Sequence, residues 1–325
     1  MEFLYFLESI RNPVCDAIVG ALTYLGDEIA FLAVALAVFW CFSKHRGYYL
    51  LGAGFCGVVI NQTLKLIFRI PRPWVLDPNF NAVESAKPAA TGYSFPSGHT
   101  QNAACTFGGL ARCAKKNWAR IVLTAVVILV AFSRMYLGVH TPKDVLVSLA
   151  VGAVLVFALC PLFQYAEKHE KAYYWIFSVF FLLTLAYLAF ALIFPNFVEI
   201  EAGQEHNVES ALHNACTILG ATAGILVAFP IETKFIKFDE KAPLLGQVLK
   251  LVIGLAIVVA LKSVLKSVFG GDDEILVLRA VRYFLIVIFS MCVYPLTFKW
   301  FAKIGKKNFE SNSKRKKVIE TKNKV

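Results

Sequence analysis

The chain has 325 residues, of which 58% are hydrophobic and only 17% are charged. Soluble domains are nearer half apolar and a quarter charged, so this composition excludes a water-soluble globular protein, a disordered chain and a fibre. The eight cysteines lie almost entirely within apolar runs, which predicts buried small side chains and not a disulfide framework. The sequence therefore predicts a polytopic membrane protein.

Nine stretches are apolar enough to cross a bilayer, which takes about 20 residues each. They predict an all-α membrane bundle with spans at 28–43, 47–68, 98–114, 119–138, 143–163, 172–194, 208–230, 243–268 and 275–301. Residues 1–26 are predicted to form helices in the membrane interface, because Phe3, Phe6, Leu7 and Ile10 recur at helical spacing. This segment has no basic flank and no small-residue cleavage site, unlike a signal peptide.

Lysine and arginine are concentrated in every second connection between the predicted spans. The loops after the first, third, fifth and seventh spans are basic, as is the tail 303–325, whereas 195–207 and 269–274 are acidic. The positive-inside rule then predicts an external N-terminus and a cytoplasmic C-terminus, with the cell membrane as the expected location. The net charge of +11 is accordingly attributed to attraction for anionic lipid, and nucleic acid is not an expected partner.

One predicted external region is basic where this rule disfavours positive charge. Its cations are Lys65, Arg69, Arg72, Lys87, Arg134 and Lys143. Positive charges on the disfavoured side of the membrane suggest a functional role, and binding of an anion would explain them.

Three short segments carry the unusual residues of this region, and alternation of the spans brings all three to the external side. They are Lys65–Pro73, Pro96–His99 and Ser133–Asp144. In the first, Lys65 and Arg72 share a helix face if the helix persists. In the second, a Ser-Gly pair at a helix start presents free backbone N–H groups to an anion. Two histidines, one carboxylate and three cations around a helix N-terminus suit phosphoryl transfer.

The pattern Lys-x6-Arg-Pro, Pro-Ser-Gly-His and Ser-Arg-x5-His-x3-Asp, in that order across residues 65–144, resembles the type-2 phosphatidic acid phosphatase superfamily. The resemblance implies a phosphate hydrolase. The sequence has no His-Glu-x-x-His, no Cys-x-x-Cys pair and no carboxylate cluster near the motifs, and several cations already lie there, so no metal and no cofactor are expected. The resemblance also implies a six-helix core, expected at 27–194, so that residues 195–302 form three additional spans.

The resemblance further implies a role for each motif residue. His140 would attack phosphorus and form a phosphohistidine, Asp144 would hold the His140 imidazole in its reactive tautomer, and His99 would protonate the leaving oxygen. The implied phosphate-binding residues are Lys65, Arg72, Ser97, Gly98 and Arg134.

Several of these residues have a simpler structural interpretation. Thr141, Pro142 and Asp144 also form a good helix start, so Asp144 is expected to cap the helix whether or not it serves His140. His213 is expected to form a hydrogen bond between helices. The other histidines and two of the cations are interpreted as ordinary surface groups: His45, His169, His206, Arg69 and Lys87.

The substrate class stays open between alternatives. The favoured function is hydrolysis of a membrane lipid phosphate or isoprenyl diphosphate. Nine spans with an external N-terminus also resemble the glucose-6-phosphatase arrangement, so a soluble sugar phosphate is the second candidate. A transporter or receptor with a degenerate site is the non-enzymatic alternative, against which the intact motifs argue. The sequence indicates no oligomeric state.

Four further cations lie near the outer ends of the last two predicted spans: Lys262, Lys266, Arg279 and Arg282. Each pair shares a helix face at about the depth of the three motifs, which suits binding of a second anionic group on the substrate. The alternative is that they pair with Asp272, Asp273 and Glu274 or extend to lipid phosphates.

Overall fold

The computed structural model describes residues 1–200, 204–271 and 275–304, and all regular secondary structure in these ranges is helical. The helices are α1 (Glu2–Ser9), α2 (Pro13–Thr23), α3 (Glu28–Cys41), α4 (Lys44–Phe68), α5 (Pro73–Leu76), α6 (Gly98–Ala103), α7 (Gly109–Cys113), α8 (Asn117–Tyr136), α9 (Pro142–Lys168), α10 (Lys171–Ile193), α11 (Glu205–Ile231), α12 (Leu244–Val268), α13 (Leu276–Ile288) and α14 (Phe298–Phe301). The predicted all-α class is confirmed.

The predicted number of spans is not confirmed. The described residues contain seven helices long and apolar enough to cross a membrane, or up to eight if residues 13–26 and α3, which are bent by 51°, form one broken span. The predicted first span is only 14 residues long as α3, and the predicted third is broken into α6, a π-helical turn at 104–108, and α7. Both are shorter than the roughly 20 residues that a full crossing takes.

The N-terminal helices pack on the protein through only part of their apolar surface. Leu4 and Leu7 are buried, whereas Phe3, Phe6 and Ile10 are exposed. The link from this region to α8 is polar: Arg11 Nε donates to the Tyr136 carbonyl at 2.8 Å, and the Tyr136 hydroxyl donates to Asp16 Oδ1 at 2.9 Å. These contacts fix α2 beside the end of α8.

Helix α4 ends where the sequence places two prolines. Arg69 adopts a left-handed conformation with φ 48°, and its N–H donates to the Lys65 carbonyl. Pro71 and Pro73 cannot continue the helical hydrogen bonding. Chain reversal follows, and the returning loop is tied back by a 2.8 Å bond from the Ser94 N–H to the Ile70 carbonyl. This reversal brings residues 91–94 over the end of α4.

The C-terminal helices pack closely against the rest of the bundle. A Cβ atom on Gly220 of α11 would overlap the backbone of Ala280 in α13, and one on Gly224 would lie 2.8 Å from Val287 Cβ. Small residues four apart allow such close helix approach in membranes. Trp40 of α3 donates from Nε1 to the Ser290 carbonyl at 2.9 Å, so the two parts of the chain share one core.

All eight cysteines are free, and each is buried or half-buried. The prediction of buried small side chains in place of a disulfide framework is confirmed. The basic tail predicted at 303–325 lies outside the described residues from 305 onward, as do Asp272, Asp273 and Glu274.

Candidate active site

The three sequence motifs meet at one cavity of about 780 Å³, called here the site cavity. The reversal after α4 supplies Lys65 and Arg72, the start of α6 supplies Gly98 and His99, and the α8–α9 connection supplies Arg134 and His140. Motifs separated by up to 75 residues thus line one chamber. The juxtaposition predicted from the sequence is present.

His140 is 1% exposed and lies between a cation and a carboxylate. Its Nε2 is 2.9 Å from Arg72 Nη1, and its Nδ1 is 3.4 Å from Asp144 Oδ2. Because a guanidinium only donates, Nε2 must accept, and the proton then resides on Nδ1 and faces Asp144. This tautomer leaves the Nε2 lone pair as the nucleophilic atom of the ring.

Burial lowers the pKa of His140 well below its ordinary value, and the nearby charges of Arg72, Arg134 and Lys65 lower it further. Both causes disfavour a positively charged imidazolium. At neutral pH the ring is therefore uncharged, which is the form that can attack phosphorus.

The Asp144 carboxylate serves His140 and the start of α9 together. Its Oδ2 accepts from the Thr141 N–H at 2.9 Å, while the Thr141 hydroxyl accepts from the Asp144 N–H at 3.4 Å, forming a capping box. Ser94 donates its hydroxyl to the same Oδ2 at 2.6 Å. The sequence indicated Asp144 in both roles, but Ser94 was missed. Its signal was only proximity, three residues before Ser97.

Backbone carbonyls of the loop 91–93 hold two of the cations. Arg72 donates from Nη2 to the Thr91 carbonyl at 2.7 Å and from Nε to the Gly92 carbonyl at 3.1 Å. Lys65 donates from Nζ to the Tyr93 carbonyl and, at 3.4 Å, to that of Thr91. Both side chains are almost fully buried. Their charges are thus positioned before any substrate arrives.

Arg134 and His99 present polar atoms that the described part of the chain does not satisfy. Arg134 is fully buried and donates from Nη1 to Thr23 Oγ1 at 2.8 Å, but its Nε and Nη2 have no partner there. His99 Nε2 has none either. Buried polar groups without partners are costly. Phosphoryl oxygens in the site cavity would accept from the Arg134 groups, and from His99 Nε2 when that nitrogen carries a proton.

Ser97 and Gly98 occupy different positions relative to the cavity. Gly98 lines it, whereas Ser97 is fully buried and caps α6, accepting from the Thr100 N–H at 3.4 Å. The Ser97 N–H donates to the Asp144 carbonyl at 3.2 Å. Asn61 was missed by the sequence interpretation; its amide donates to the Pro96 carbonyl at 3.3 Å and supports this turn.

The four C-terminal cations are not all in one place. Arg279 lines the site cavity and donates from Nε to Thr217 Oγ1 at 3.0 Å. Lys262 lines an adjoining apolar cavity. Arg282 is buried but lines neither the site cavity nor the apolar cavity. Lys266 is exposed. The predicted partners Asp272, Asp273 and Glu274 are outside the described residues, so pairing with them stays a prediction.

A further part of the site cavity lining, called here the α11 wall, comes from the first turns of α11. Its residues are His206, Glu209, Ser210, His213 and Asn214. From the sequence, His206 is interpreted as an ordinary surface group and His213 as a helix-packing hydrogen bonder, so neither is assigned to the site. His213 Nε2 lies 3.8 Å from Glu209 Oε1. Only the packing of α11 against α4 and α10 places these groups at the cavity that the motifs line.

Two further cations of this region have partners outside the three motifs. Lys87 lines the site cavity and pairs with Glu84 at 2.6 Å, whereas Arg69 does not line the cavity and donates to the Glu199 carbonyl at 2.9 Å. Within the described ranges, no three His, Cys, Asp or Glu side chains are grouped so that they could hold a metal ion.

Comparison with known proteins agrees with this geometry. The sequence pattern of the PAP2 superfamily matches residues 46–168, and that of the PAP2 superfamily phosphatase transmembrane extension matches residues 216–307. Undecaprenyl-diphosphatase BcrC of Bacillus subtilis is 35% identical over 46% of this chain and 75% of its own length. Phosphatidylglycerophosphatase B of the same organism is 26% identical over 46% and 75%.

A solved structure, that of LpxE from Aquifex aeolicus, is 26% identical and covers 48% of this chain and 92% of its own, with a TM-score of 0.42. The extent of the match to BcrC, together with the superfamily pattern over the three motifs, decides the family. This chain is an integral membrane protein that belongs to the PAP2 superfamily of membrane lipid phosphatases.

Proposed function

We propose that the protein hydrolyses a lipid phosphate monoester or diphosphate through a phosphohistidine intermediate at the external membrane face. The observation that carries the proposal is the setting of His140, whose Nδ1 faces Asp144 and whose Nε2 faces a chamber lined by Lys65, Arg72, His99 and Arg134. A nucleophile oriented by a carboxylate and surrounded by cations is the arrangement that phosphoryl transfer needs.

In the first step, Arg72 Nη1 transfers its hydrogen bond from His140 Nε2 to a phosphoryl oxygen. The freed Nε2 lone pair forms a bond to phosphorus as the bond from phosphorus to the leaving oxygen breaks. Protonated His99 gives its proton to that oxygen, so the lipid leaves as a neutral alcohol or, from a diphosphate, as a monophosphate. Binding of the anionic substrate favours the protonated form of His99. Lys65, Arg72 and Arg134 stabilise the three nonbridging oxygens, and Asp144 stabilises the charge that develops on the imidazole.

In the second step, neutral His99 removes a proton from a water molecule that attacks the phosphohistidine. The phosphorus–nitrogen bond breaks, inorganic phosphate is released, and His140 returns to its neutral Nδ1–H form. His99 ends protonated, as it began. We propose that no metal ion is needed, because the three cations already neutralise the phosphoryl charge.

The decisive experiment is phosphate release by detergent-purified protein in the presence of a chelator. Lipid monophosphates, isoprenyl diphosphates and sugar phosphates are compared with wild-type protein and His140→Ala. We expect wild-type turnover on a lipid probe with chelator present and none with His140→Ala, because no other group forms the covalent intermediate. Activity in His140→Ala would refute the mechanism, and activity lost only on chelation would refute metal independence.

A soluble sugar phosphate is the second candidate, favoured by one observation. The α11 wall carries hydroxyl, amide and imidazole groups, and the cavity volume of about 780 Å³ exceeds the space a phosphate needs. Such a wall suits hydroxyl groups on a polar substrate. Faster release from a sugar phosphate than from every lipid probe in the same assay would favour this candidate.

The proposed orientation puts the site cavity outside the membrane, in the cell membrane, with the C-terminus in the cytosol. The distribution of basic loops supports it. The functional division proposed here is a core at 27–194 carrying the catalytic groups and additional helices at 195–302 that complete the cavity wall, with 1–26 at the membrane interface and a basic tail at 303–325.

A further inference from the structure

A second, apolar cavity lies beside the site cavity, between the core helices and the C-terminal helices. It is called here the apolar slot. Glu28, Asn102 and Asn214 line both spaces, so the two are adjoining. The slot holds about 130 Å³ against about 780 Å³ for the site cavity, and is therefore narrow.

The slot follows two helices away from the site cavity. Along α11 its lining runs from Asn214 through Ala221 to Ile225, and along α3 from Glu28 through Leu36 to Phe39. Each course covers twelve residues, and the eleven steps between its ends rise about 16 Å at 1.5 Å per residue. A space of about 130 Å³ that extends over this length is elongated.

Polarity changes along this length in one direction. Glu28, Asn102 and Asn214 are shared with the site cavity, and Lys262, which lines only the slot, interacts electrostatically with Glu28. Thr217 lies three residues after Asn214 on α11, and its hydroxyl oxygen accepts from Arg279 Nε at 3.0 Å. Farther along, the lining is almost entirely aliphatic and aromatic. The Ser290 hydroxyl there donates to the Ile286 carbonyl of its own helical turn at 2.8 Å, so it offers the slot no free donor.

We propose that the apolar slot holds one hydrocarbon chain of the substrate while its phosphate lies between His99 and His140. The inference rests on the proposed lipid-phosphate function and adds where the chain binds. A narrow, elongated apolar space that opens into a cationic chamber matches an extended alkyl or isoprenyl chain joined to a phosphate. The C-terminal helices α11, α12 and α13 would then select the substrate by its chain.

The slot offers a matched pair of positions on α12. Val258 lines the slot, whereas the next residue, Val259, is 53% exposed on the outer surface. Val258→Trp fills the slot, and Val259→Trp adds the same side chain to the same helix outside it. Two pairs of probes are used, one of phosphatidic acids and one of isoprenyl diphosphates, each with a long-chain and a short-chain member sharing a head group.

The measured quantity is the ratio of kcat/KM for the long-chain probe to that for the short-chain probe. We expect Val258→Trp to lower this ratio by at least about tenfold, because excluding even two methylene groups from an apolar site costs about that factor. Val259→Trp should keep the wild-type ratio. Equal ratios in the two variants would overturn the proposal. Absence of phosphate release from all four probes by wild-type protein would instead refute the proposed function.

A second measurement uses wild-type protein and does not depend on how the variants fold. A long-chain phosphatidic acid or isoprenyl diphosphate with a photoreactive diazirine at the end of its chain is irradiated with the protein, and labelled peptides are identified by mass spectrometry. Labelling near Ile225 or Val258 is expected. Labelling confined to outward-facing positions such as Val259 would overturn the slot as the chain site.

Discussion

Asp144 takes part in the local structure and, in the proposed mechanism, in the chemistry. Its carboxylate accepts from the Thr141 N–H and from the Ser94 hydroxyl at 2.6 Å, and it faces His140 Nδ1 at 3.4 Å. The hydrogen bonds that start α9 therefore also hold the carboxylate that we propose orients the nucleophile. Removal of its charge separates these two contributions, because an amide can still cap the helix.

We expect Asp144→Asn to lower kcat by about 10³–10⁴-fold, since an amide neither holds the reactive tautomer nor stabilises the developing imidazolium. The thermal unfolding midpoint should change little, because Asn retains an oxygen that can accept from the Thr141 N–H. Steady-state kinetics and thermal unfolding in detergent measure the two effects. A kcat of Asp144→Asn close to that of the wild type would show that Asp144 has no role in the mechanism.

His99 is expected to act as the acid for the leaving oxygen. His99→Ala should slow hydrolysis of an alkyl phosphate by about 10²–10⁴-fold, but should slow nitrophenyl phosphate much less, because nitrophenolate leaves without a proton. The ratio of the two rates is the measurement. Equal losses on both substrates would contradict the assignment and leave His99 as a binding group.

Arg279 and Lys266 give opposite expectations because only Arg279 lines the site cavity. If Arg279 binds a second anionic group on the substrate, we expect Arg279→Gln to raise KM for a diphosphate by about tenfold. This is the loss of affinity typical for one charge-assisted hydrogen bond. KM for a monophosphate should change less. Lys266→Gln, which removes an exposed charge on α12, should match wild type. Equal effects of Arg279→Gln on both substrates would make Arg279 structural.

At the scale of the helices, close contact between α11 and α13 positions the α11 wall. Gly220 and Gly224 let the backbones of the two helices approach each other, and the neighbouring side chains of α11 and α13 include Asn214 and Arg279 of the site cavity. The hydrogen bond from Arg279 Nε to Thr217 Oγ1 at 3.0 Å joins the same two helices, so close backbone approach and a polar contact both hold this interface.

Gly220→Ala should lower the thermal unfolding midpoint, because its methyl group would overlap the Ala280 backbone and overpacking of this kind costs about 1–3 kcal/mol. Gly20→Ala in α2 is the control, since a Cβ there has no atom within 4 Å. Both changes gain the same helix propensity. An equal midpoint in the two variants would show that close α11–α13 packing is not needed for stability.

At the scale of the whole molecule, the proposed orientation across the membrane rests on loop charge, while the number of crossings depends on short segments. Residues 98–113 form a sixteen-residue helical course, about 24 Å long at 1.5 Å per residue. That is less than the roughly 30 Å hydrocarbon core. The chain nevertheless leaves the site cavity along this course and returns to it along α8, whose end carries Arg134.

Single cysteines introduced at Gln204, Gly271 and Glu310 into a variant without native cysteine test the orientation. Reagent that does not cross the membrane should label the first two in intact cells but not the third, because the first two lie in acidic loops and the third in the basic tail. Permeabilised cells provide the control in which all three are labelled. Labelling of Glu310→Cys alone in intact cells would show that the orientation is the reverse of the one proposed.

The sequence by itself determined the helical membrane class and the catalytic candidates. Long apolar runs indicate directly that the chain lies in a lipid bilayer, since each span must satisfy its backbone polar groups within the helix and present apolar side chains to lipid. The motif spacing also carried local information: Thr141 and Asp144 form the capping box that their spacing predicts. These features depend on residues near one another in the chain, and so a linear pattern is sufficient to predict them.

Only the tertiary structure decided which distant residues share the site. Ser94 reaches Asp144 because the chain reverses after α4, and His206 and Arg279 reach the cavity because α11 and α13 pack beside the core. The sequence does not distinguish Lys262, Lys266, Arg279 and Arg282, but they occupy different places in the structure. The rotation of each helix and its neighbouring helices decide which side chains face a cavity. Such placement depends on packing between segments 50 or more residues apart in the chain, and no local spacing encodes it.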